Sequence, residues 1–555
     1  MKQWDYIIVG AGSSGCVLAN RLSADPSKGV LLIEAGTSDR NPLQRIPMVG
    51  VLLNYGHPAR DWGYQTQPDP SRHDRVEVNP RGKLLGGTSS VNGMIYVRGA
   101  KEDFDGWAEL GNPGWSYDEV VPLYRGLEDH EWSRTPGEHR EHYGHAGGLK
   151  VRQIKGAHRL SRVFVSACTE LGIPENPHYN TGTQEGACIL SATHSGRVRY
   201  SSSQAFLQPI KHRRNLHVLT HSLVTRVLIK DKRAVGVCVA QNGKREATEY
   251  QAGQIILSGG VFNSPQLLML SGIGPGRHLQ EKGICVELDL PGVGQNLQDH
   301  PNCPILAKVN VHTFSTRPTV AIKAAIDWLL FGRGLLTSAG CQALAFVKTR
   351  TELPQPDVQI HIMPLGFTVN EKKKVRFLDS CITLLPNISH PFIRGEVKLN
   401  SRRSDDSPKI YPNMLEDERD IKTLMAAATL CRALLQTPSF RPYVEQETSP
   451  GRDVQTHQQW EHFIRENASS GAHQCGTCKM GIDRLAVVDP RLRVHGIEGL
   501  RVIDASIMPR VPSGNTNASC MMIAEKGAQM ILQDAKPMSR VGRPGERLKE
   551  QSEAL

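Results

Sequence analysis

At 555 residues, with 39% hydrophobic and 22% charged residues, the chain has an ordinary globular composition and exceeds the length at which one core stops growing. Disordered and fibrous classes are excluded, and two domains able to enclose a cofactor are expected. The formal net charge of +11 is dispersed over KHRR, KKKVR and the tail after Lys536 and is not interleaved with aromatic residues, so no nucleic-acid partner is expected. Solvated surface is the favoured reading of that charge, with peripheral membrane contact as the alternative.

In chain order, MKQWDYIIVG enters a strand directly, without the basic and apolar segments of an export signal. DYIIVGAGSSGCVLANRLS then predicts a hydrophobic strand, a Gly-rich turn and a helix with Leu18 and Leu22 on one face. VLLIEAG is a second strand ending on Glu34, which completes a βαβ unit. Residues 60–111 are rich in Gly, Pro, Asp and Trp and predict loops over a pocket. A helix is expected over 118–127, and strands over 216–228, 234–241 and 249–258. Beyond Pro301 the character changes. VAIKAAIDWLLFG predicts an amphipathic helix, PDVQIHIMPL and FIRGEVKLN predict strands of a separate sheet, and a long helix follows over 420–435. From Gly471 onward the strand LRVIDAS and the helix NASCMMIAEKGAQMIL return to the α/β style of the start.

The apolar stretches AIDWLLFG and QLLMLSGIG are too short and too Gly-interrupted to cross a bilayer, so no transmembrane segment is expected. Twelve cysteines without a framework-like rhythm suggest reduced thiols and a cytoplasmic protein, with the periphery of the inner membrane as the alternative. Cys475 and Cys478 have CxxC spacing but no second CxxC, and the His217 to His221 pair lies in a distant predicted strand. Two thiols in a tight turn, and no metal, are the expectation.

Gly10, Gly12 and Gly15 form GxGxxG after a strand and before a helix, with Ser13 and Ser14 inside the motif. The first glycine permits the turn, the second lets a diphosphate approach the backbone, and the third lets helix pack on strand. The helix N-terminus then offers free N–H groups and a favourable dipole to the anion. Glu34, followed by Ala35, can accept hydrogen bonds from a ribose diol and argues against a 2′-phosphate. This signal does not separate FAD from NAD. RGKLLGGTSSVNGMIYVRG, residues 81–99, offers small residues against which a flat ring could lie, and it serves equally as a tight loop.

GAGSSG, RGKLLGGTSSVNGMIYVRG, SGGVFNSPQLLMLSGIGP, PGVGQNLQDHP, HQCGTCKMG and VIDASIMPRVPSGNTNASCMMIAEKGA follow one another over nearly the whole chain. In that combination the chain resembles the glucose-methanol-choline (GMC) oxidoreductases, in their bacterial alcohol and choline dehydrogenase-like branch. The resemblance implies an α/β fold whose Rossmann-type FAD-binding domain is built from residues 1–155, 215–305 and 470–535. Residues 156–214 and 306–469 would form a substrate domain with an antiparallel sheet and helices, and 536–555 a disordered basic tail. It places Gly86, Ser90, Asn92, Gly93 and Met94 near the isoalloxazine and pyrophosphate, and Val224 near the adenine. Asp504 and Ala505 would meet the pyrophosphate and ribityl region, and Asn517 the flavin pyrimidine. Members with covalent flavin carry a histidine where Val91 stands, which implies non-covalent FAD. His473, in a motif that more often reads HPVGT, and Asn515 are the implied catalytic pair.

A histidine suits proton removal from an alcohol, and an amide suits holding the alkoxide oxygen. The expected function is oxidation of a primary alcohol, with a quinone or other carrier as electron acceptor. An oxygen-using oxidase and a choline dehydrogenase are the nearest alternatives, and an FAD-containing hydroxynitrile lyase is the alternative from another class. Choline dehydrogenases tend to carry glutamate where Gln342 stands, which turns the expectation towards a neutral alcohol. His300 and His361 are expected to be structural, and substrate choice is expected to lie with residues between Thr313 and Phe367.

Overall fold

The computed structural model describes residues 3–241, 247–315, 317–369 and 375–535, so the basic tail lies outside the described residues. The fold is mixed α/β. In the first sheet, Leu216–Leu219, Val30–Ile33, Gln3–Val9 and Ala247–Leu257 run parallel in that order, and Leu500–Val502 also pairs in parallel with Ala247–Leu257. Arg233–Gln241 and Ser222–Lys230 extend the sheet as antiparallel strands. The runs YIIV, VLLI and the end of Ala247–Leu257 are buried on both faces, which is why they read as continuous apolar stretches and not as alternation. Helices Ser13–Leu22 and Asn517–Asp534 pack on each other and bury Leu18, Leu22, Met522 and Ile523 in the core of this sheet.

The second sheet is antiparallel, ordered Val444–Ser449, Ile305–Val309, Cys381–Ile388, Val358–Met363, Ala343–Val347 and Gly186–Ile189. Pro301–Asn302 joins it beside Cys381–Ile388 and pairs with Ser469–Ser470. Its central strands Val358–Met363 and Cys381–Ile388 turn successive residues to opposite faces. Val358, Ile360, Ile362, Ile382 and Leu384 face a core filled by helices Arg159–Glu170, Glu418–Gln436 and His457–Asn467. Residues of opposite parity, Gln359, His361, Leu385 and Asn387, therefore turn to the other face, and three of those four are polar.

Two expectations need correction. Residues 60–111 are not all loop, because Lys101–Glu109 is a helix whose first turn is closed by the Asp103 carboxylate accepting from Ala100 N at 2.8 Å. Gly106 and the Gly-rich flanks hid its period. FIRGEVKLN does not join the substrate-side sheet, since Glu396–Lys398 pairs with Lys409–Tyr411 in a separate two-stranded ribbon.

Candidate active site

The Gly-rich turn is built as its spacing requires. Gly10 has φ +97°, and a side chain at Gly15 would stand 1.9 Å from Gly10 O, so this helix can approach its strand only without a Cβ. A Cβ at Gly12 meets nothing within 4 Å, because that position opens on a cavity of about 480 Å³. Glu34 is buried at the end of the second strand and accepts from Ala11 N at 2.9 Å and Gly36 N at 2.8 Å. Burial outweighs these two donors and pushes its carboxyl up to about 7.

The walls of this cavity place the expected residues. Gly10, Gly12, Ser13, Ser14, Glu34 and Ala35 line it from the first βαβ unit, and Val224 from the strand Ser222–Lys230. Asn92, Gly93 and Met94 line it from the loop after the turn Gly87–Ser90, and a Cβ on Gly93 would again meet open space. Asp504, Ala505 and Asn517 complete the set. The Asn517 amide oxygen accepts from Ser13 Oγ at 2.7 Å, which ties two helix N-termini to one point of the wall. Asp504 accepts from Gly260 N at 2.8 Å and Ser264 Oγ at 2.6 Å, and so fixes the start of helix Gly260–Leu270 beside them. Gly15, Gly86 and Ser90 stand behind the wall. Ser90 Oγ donates to Leu85 O at 2.9 Å, and Gly86 N donates to Ala11 O at 2.8 Å.

His473 and Asn515 meet in the same cavity. Asn515 Nδ2 lies 2.8 Å from His473 Nε2, and Asn515 Oδ1 accepts from Gln359 Nε2 at 3.4 Å, so the amide presents its N–H side to the imidazole. His473 Nε2 is then an acceptor and its proton sits on Nδ1, which lies 3.0 Å from His300 Nδ1. In this arrangement His300 Nδ1 is the acceptor, which leaves the His300 proton to Nε2, a buried atom with no partner among the described residues. Burial holds His473 well below the ordinary histidine range, helped by the neighbouring His300, His361 and Arg81, and it lowers His300 to about 3. Both rings are neutral. Asp299 Oδ1 accepts from His300 N and His473 N, each at 2.8 Å, and Oδ2 accepts from Ser470 Oγ, so one buried carboxylate sets both backbones.

Several residues here escaped the sequence. His300, expected to be structural, stands in the site itself, its ring touching that of His473. His361 is buried and takes a 3.3 Å contact from Asn387 Nδ2 on Nδ1, while Nε2 has no partner on the cavity wall. Asn302, Leu385, Asn387 and Ser470 also line the cavity and fall outside the interval 313–367. The period-two polar positions of the second sheet were the available signal, but nothing local said which face met the cavity. Gln342 does not line it. Its Oε1 accepts from His158 N at 2.8 Å and Ser161 Oγ at 3.2 Å, and its neighbour Cys341 stands at the wall instead. Cys475 and Cys478 are buried and free in the first core, and no cluster of three metal-ligating side chains occurs among the described residues.

Compared with known families, residues 4–302 match the N-terminal and residues 391–524 the C-terminal model of the GMC oxidoreductases. The chain belongs to the GMC oxidoreductase family. An alcohol dehydrogenase (acceptor) of Pseudomonas putida is 39% identical to it, covering 95% of this chain and 96% of its own. An oxygen-dependent choline dehydrogenase of Rhizobium etli is 38% identical, covering 97% of each chain. Among solved structures, pyridoxine 4-oxidase from Mesorbium loti superposes with a TM-score of 0.87 at 30% identity, and a formate oxidase of Aspergillus oryzae with 0.87 at 26%. Each match covers 96% of this chain and 99% of the other.

GMC oxidoreductases are FAD-dependent, and the residues of this chain fit that cofactor. Gly12 and Gly93 leave open the space that side chains would fill, and the N-termini of Ser13–Leu22 and Asn517–Asp534, neither capped by a side chain, stand on its wall. Glu34 retains lone pairs for a ribose diol after accepting its two backbone bonds.

Proposed function

We propose that this GMC oxidoreductase oxidises a neutral primary alcohol to an aldehyde, with His473 as the base and Asn515 as the donor to the alcohol oxygen. The observation that carries the reading is the 2.8 Å approach of Asn515 Nδ2 to His473 Nε2 on the cavity wall. An entering hydroxyl replaces the Asn515–His473 bond with one bond to each residue. Its proton goes to His473 Nε2, and its oxygen, as charge develops, takes the Asn515 N–H. FAD, when bound, supplies the acceptor for the hydride that leaves the carbinol carbon. His300 and Asp299 keep the imidazole in the accepting tautomer and orientation.

The substrate-side wall of Asn302, His361, Leu385 and Asn387 contains no carboxylate, which supports a neutral alcohol over a quaternary ammonium. Val91 stands on the wall with no nucleophilic atom, so FAD is held without a covalent bond through that position. Heat or acid denaturation therefore releases all of the yellow colour into the supernatant, and colour retained in the precipitate overturns this part of the reading. The electrons pass to a quinone or another carrier. A cytoplasmic location is supported by twelve free cysteines, nine of them buried.

The test is anaerobic mixing of the holoenzyme with a panel of primary alcohols, choline and benzyl alcohol included, while the oxidised flavin band is followed. Bleaching by a neutral alcohol is expected, and slow recolouring in air distinguishes a dehydrogenase from an oxidase. A flavin that no alcohol bleaches overturns the redox reading in favour of a lyase.

The pH profile follows from the site. His473 is already neutral around neutral pH, so kcat/KM is level there and the histidine leaves no mark near its ordinary value of about 6.5. Burial raises Asp299 from 3.8 to about 6, so it holds a proton below that pH and ionises above it. Protonation on Oδ2 removes the acceptor of Ser470 Oγ and weakens Oδ1 as the acceptor of both backbone N–H groups, so the ionised form holds the two histidines more firmly. Activity should rise through about pH 6 to a plateau, and Asp299→Asn should abolish that limb; an unchanged limb assigns it elsewhere.

A further inference from the structure

We propose that the helix Pro318–Phe331 lies in the surface of an anionic lipid bilayer. In a helix that serves only its own fold, an apolar stripe at spacings of three and four residues faces the core. Here the stripe faces outward. Ile322 is 60% exposed, Ile326 47%, Leu329 61% and Leu330 65%, at positions i, i+4, i+7 and i+8 of one face, while Ala324 is the one buried residue of the helix. The helix is held to the rest of the chain by a small residue and a polar contact: Ala324 is buried, and Trp328 Nε1 donates to Arg197 O at 2.7 Å. Nothing in the packing of the described residues requires the four large aliphatic side chains on the solvent side.

The patch does not end with the helix. The turn Leu335–Thr337 packs against both Pro318–Phe331 and the helix Pro47–Asn54, which places the two helices on one flank. There Leu43, Leu52 and Tyr55 are exposed too. Val51 and Tyr55 also line the cofactor cavity, so the apolar flank adjoins its mouth.

Charge selects the occupant. Arg317, Lys323 and Arg333 stand around the stripe with exposed side chains, whereas their carboxylate partners, Asp327 and Asp379, are mostly covered. Cationic heads above an apolar face match anionic headgroups above acyl chains, with the aliphatic stems of Lys and Arg reaching up to the interface. A second copy of the chain would instead bring like charges together. At about 1.5 Å per residue the helix is roughly 21 Å long, too short to span the hydrocarbon core, so it lies in the plane of the surface. No described helix is long and apolar enough to cross a membrane.

The FAD-loaded full chain is sedimented with vesicles of equal parts phosphatidylethanolamine and phosphatidylglycerol, and with vesicles of phosphatidylcholine alone. It should pellet with the first, far less with the second, and be released by high salt. The double variant Ile326→Glu and Leu330→Glu should partition roughly tenfold less or weaker still, with flavin content and turnover with a soluble dye acceptor unchanged. The rim variant Lys323→Glu and Arg333→Glu, which leaves the stripe intact, should lose the preference for anionic lipid. Three results overturn the proposal: a wild-type chain that stays in the supernatant, a double variant that binds equally, or a wild-type dimer that the double variant converts to monomer. Binding is read without turnover, so its failure is distinct from failure of the alcohol-oxidation reading.

Discussion

His473→Ala should slow anaerobic bleaching of the flavin by a saturating alcohol by about a thousandfold, a value inside the ~10²–10⁴ range that a positioned base contributes. That is a rise of about 4 kcal/mol in the barrier. The flavin should stay bound, because the His473 ring contacts Asn515 and His300, while the groups suited to the diphosphate and ribose sit on the Gly-rich turn and Glu34. Asn515→Ala should cost about a hundredfold, since it removes a donor and leaves the base. The double variant should be no worse than about His473→Ala alone, because one hydroxyl engages both residues. A rate unchanged in His473→Ala would assign the base to His361, whose Nε2 has no partner on the same wall. Stopped-flow absorbance on the two single variants decides between them.

Gly15→Val should yield a protein without flavin and with a much lower Tm. The new Cβ would lie 1.9 Å from Gly10 O, a contact with backbone that no rotamer change relieves. Helix Ser13–Leu22 must then move off the strand Gln3–Val9 and loosen its packing on Asn517–Asp534. The cost should exceed the roughly 1–3 kcal/mol usual for overpacking within side chains. Gly12→Ala is the informative partner. Its φ of −77° suits alanine, and its Cβ meets nothing within 4 Å, so the apoprotein should melt as wild type does. Its methyl intrudes on the open space where the diphosphate is expected, so FAD affinity should fall. Flavin titration into the apoproteins, with Tm measured beside it, separates a folding defect from a binding defect. Wild-type affinity in Gly12→Ala would place the diphosphate elsewhere.

The βαβ unit was legible because its signals are local. An apolar strand, glycines at fixed spacing and an acid at the end of the next strand are each set by backbone sterics within about 30 residues. The same holds for the amphipathic period of 320–332, which is indeed a helix, Pro318–Phe331. Period alone does not say which way a stripe points, and here it points to solvent. The helix Lys101–Glu109 was lost because glycines on both sides and within it obscure a short pattern.

What the sequence determined by itself was the α/β class and the Gly-rich turn with Glu34, which rest on spacing fixed by the geometry of one turn or one strand, and, through the resemblance carried by six motifs in order, the family and with it His473 and Asn515 as candidates. The tertiary structure alone decided that His300 touches His473 across 173 positions of chain, and that Asp299 holds both backbones. It also decided that Gln342 turns to His158 while Asn387 and His361 face the cavity. Such contacts depend on the register between strands and on how two sheets close over a common space. Shifting a strand by one residue exchanges its faces, and that choice is made by packing over the whole molecule.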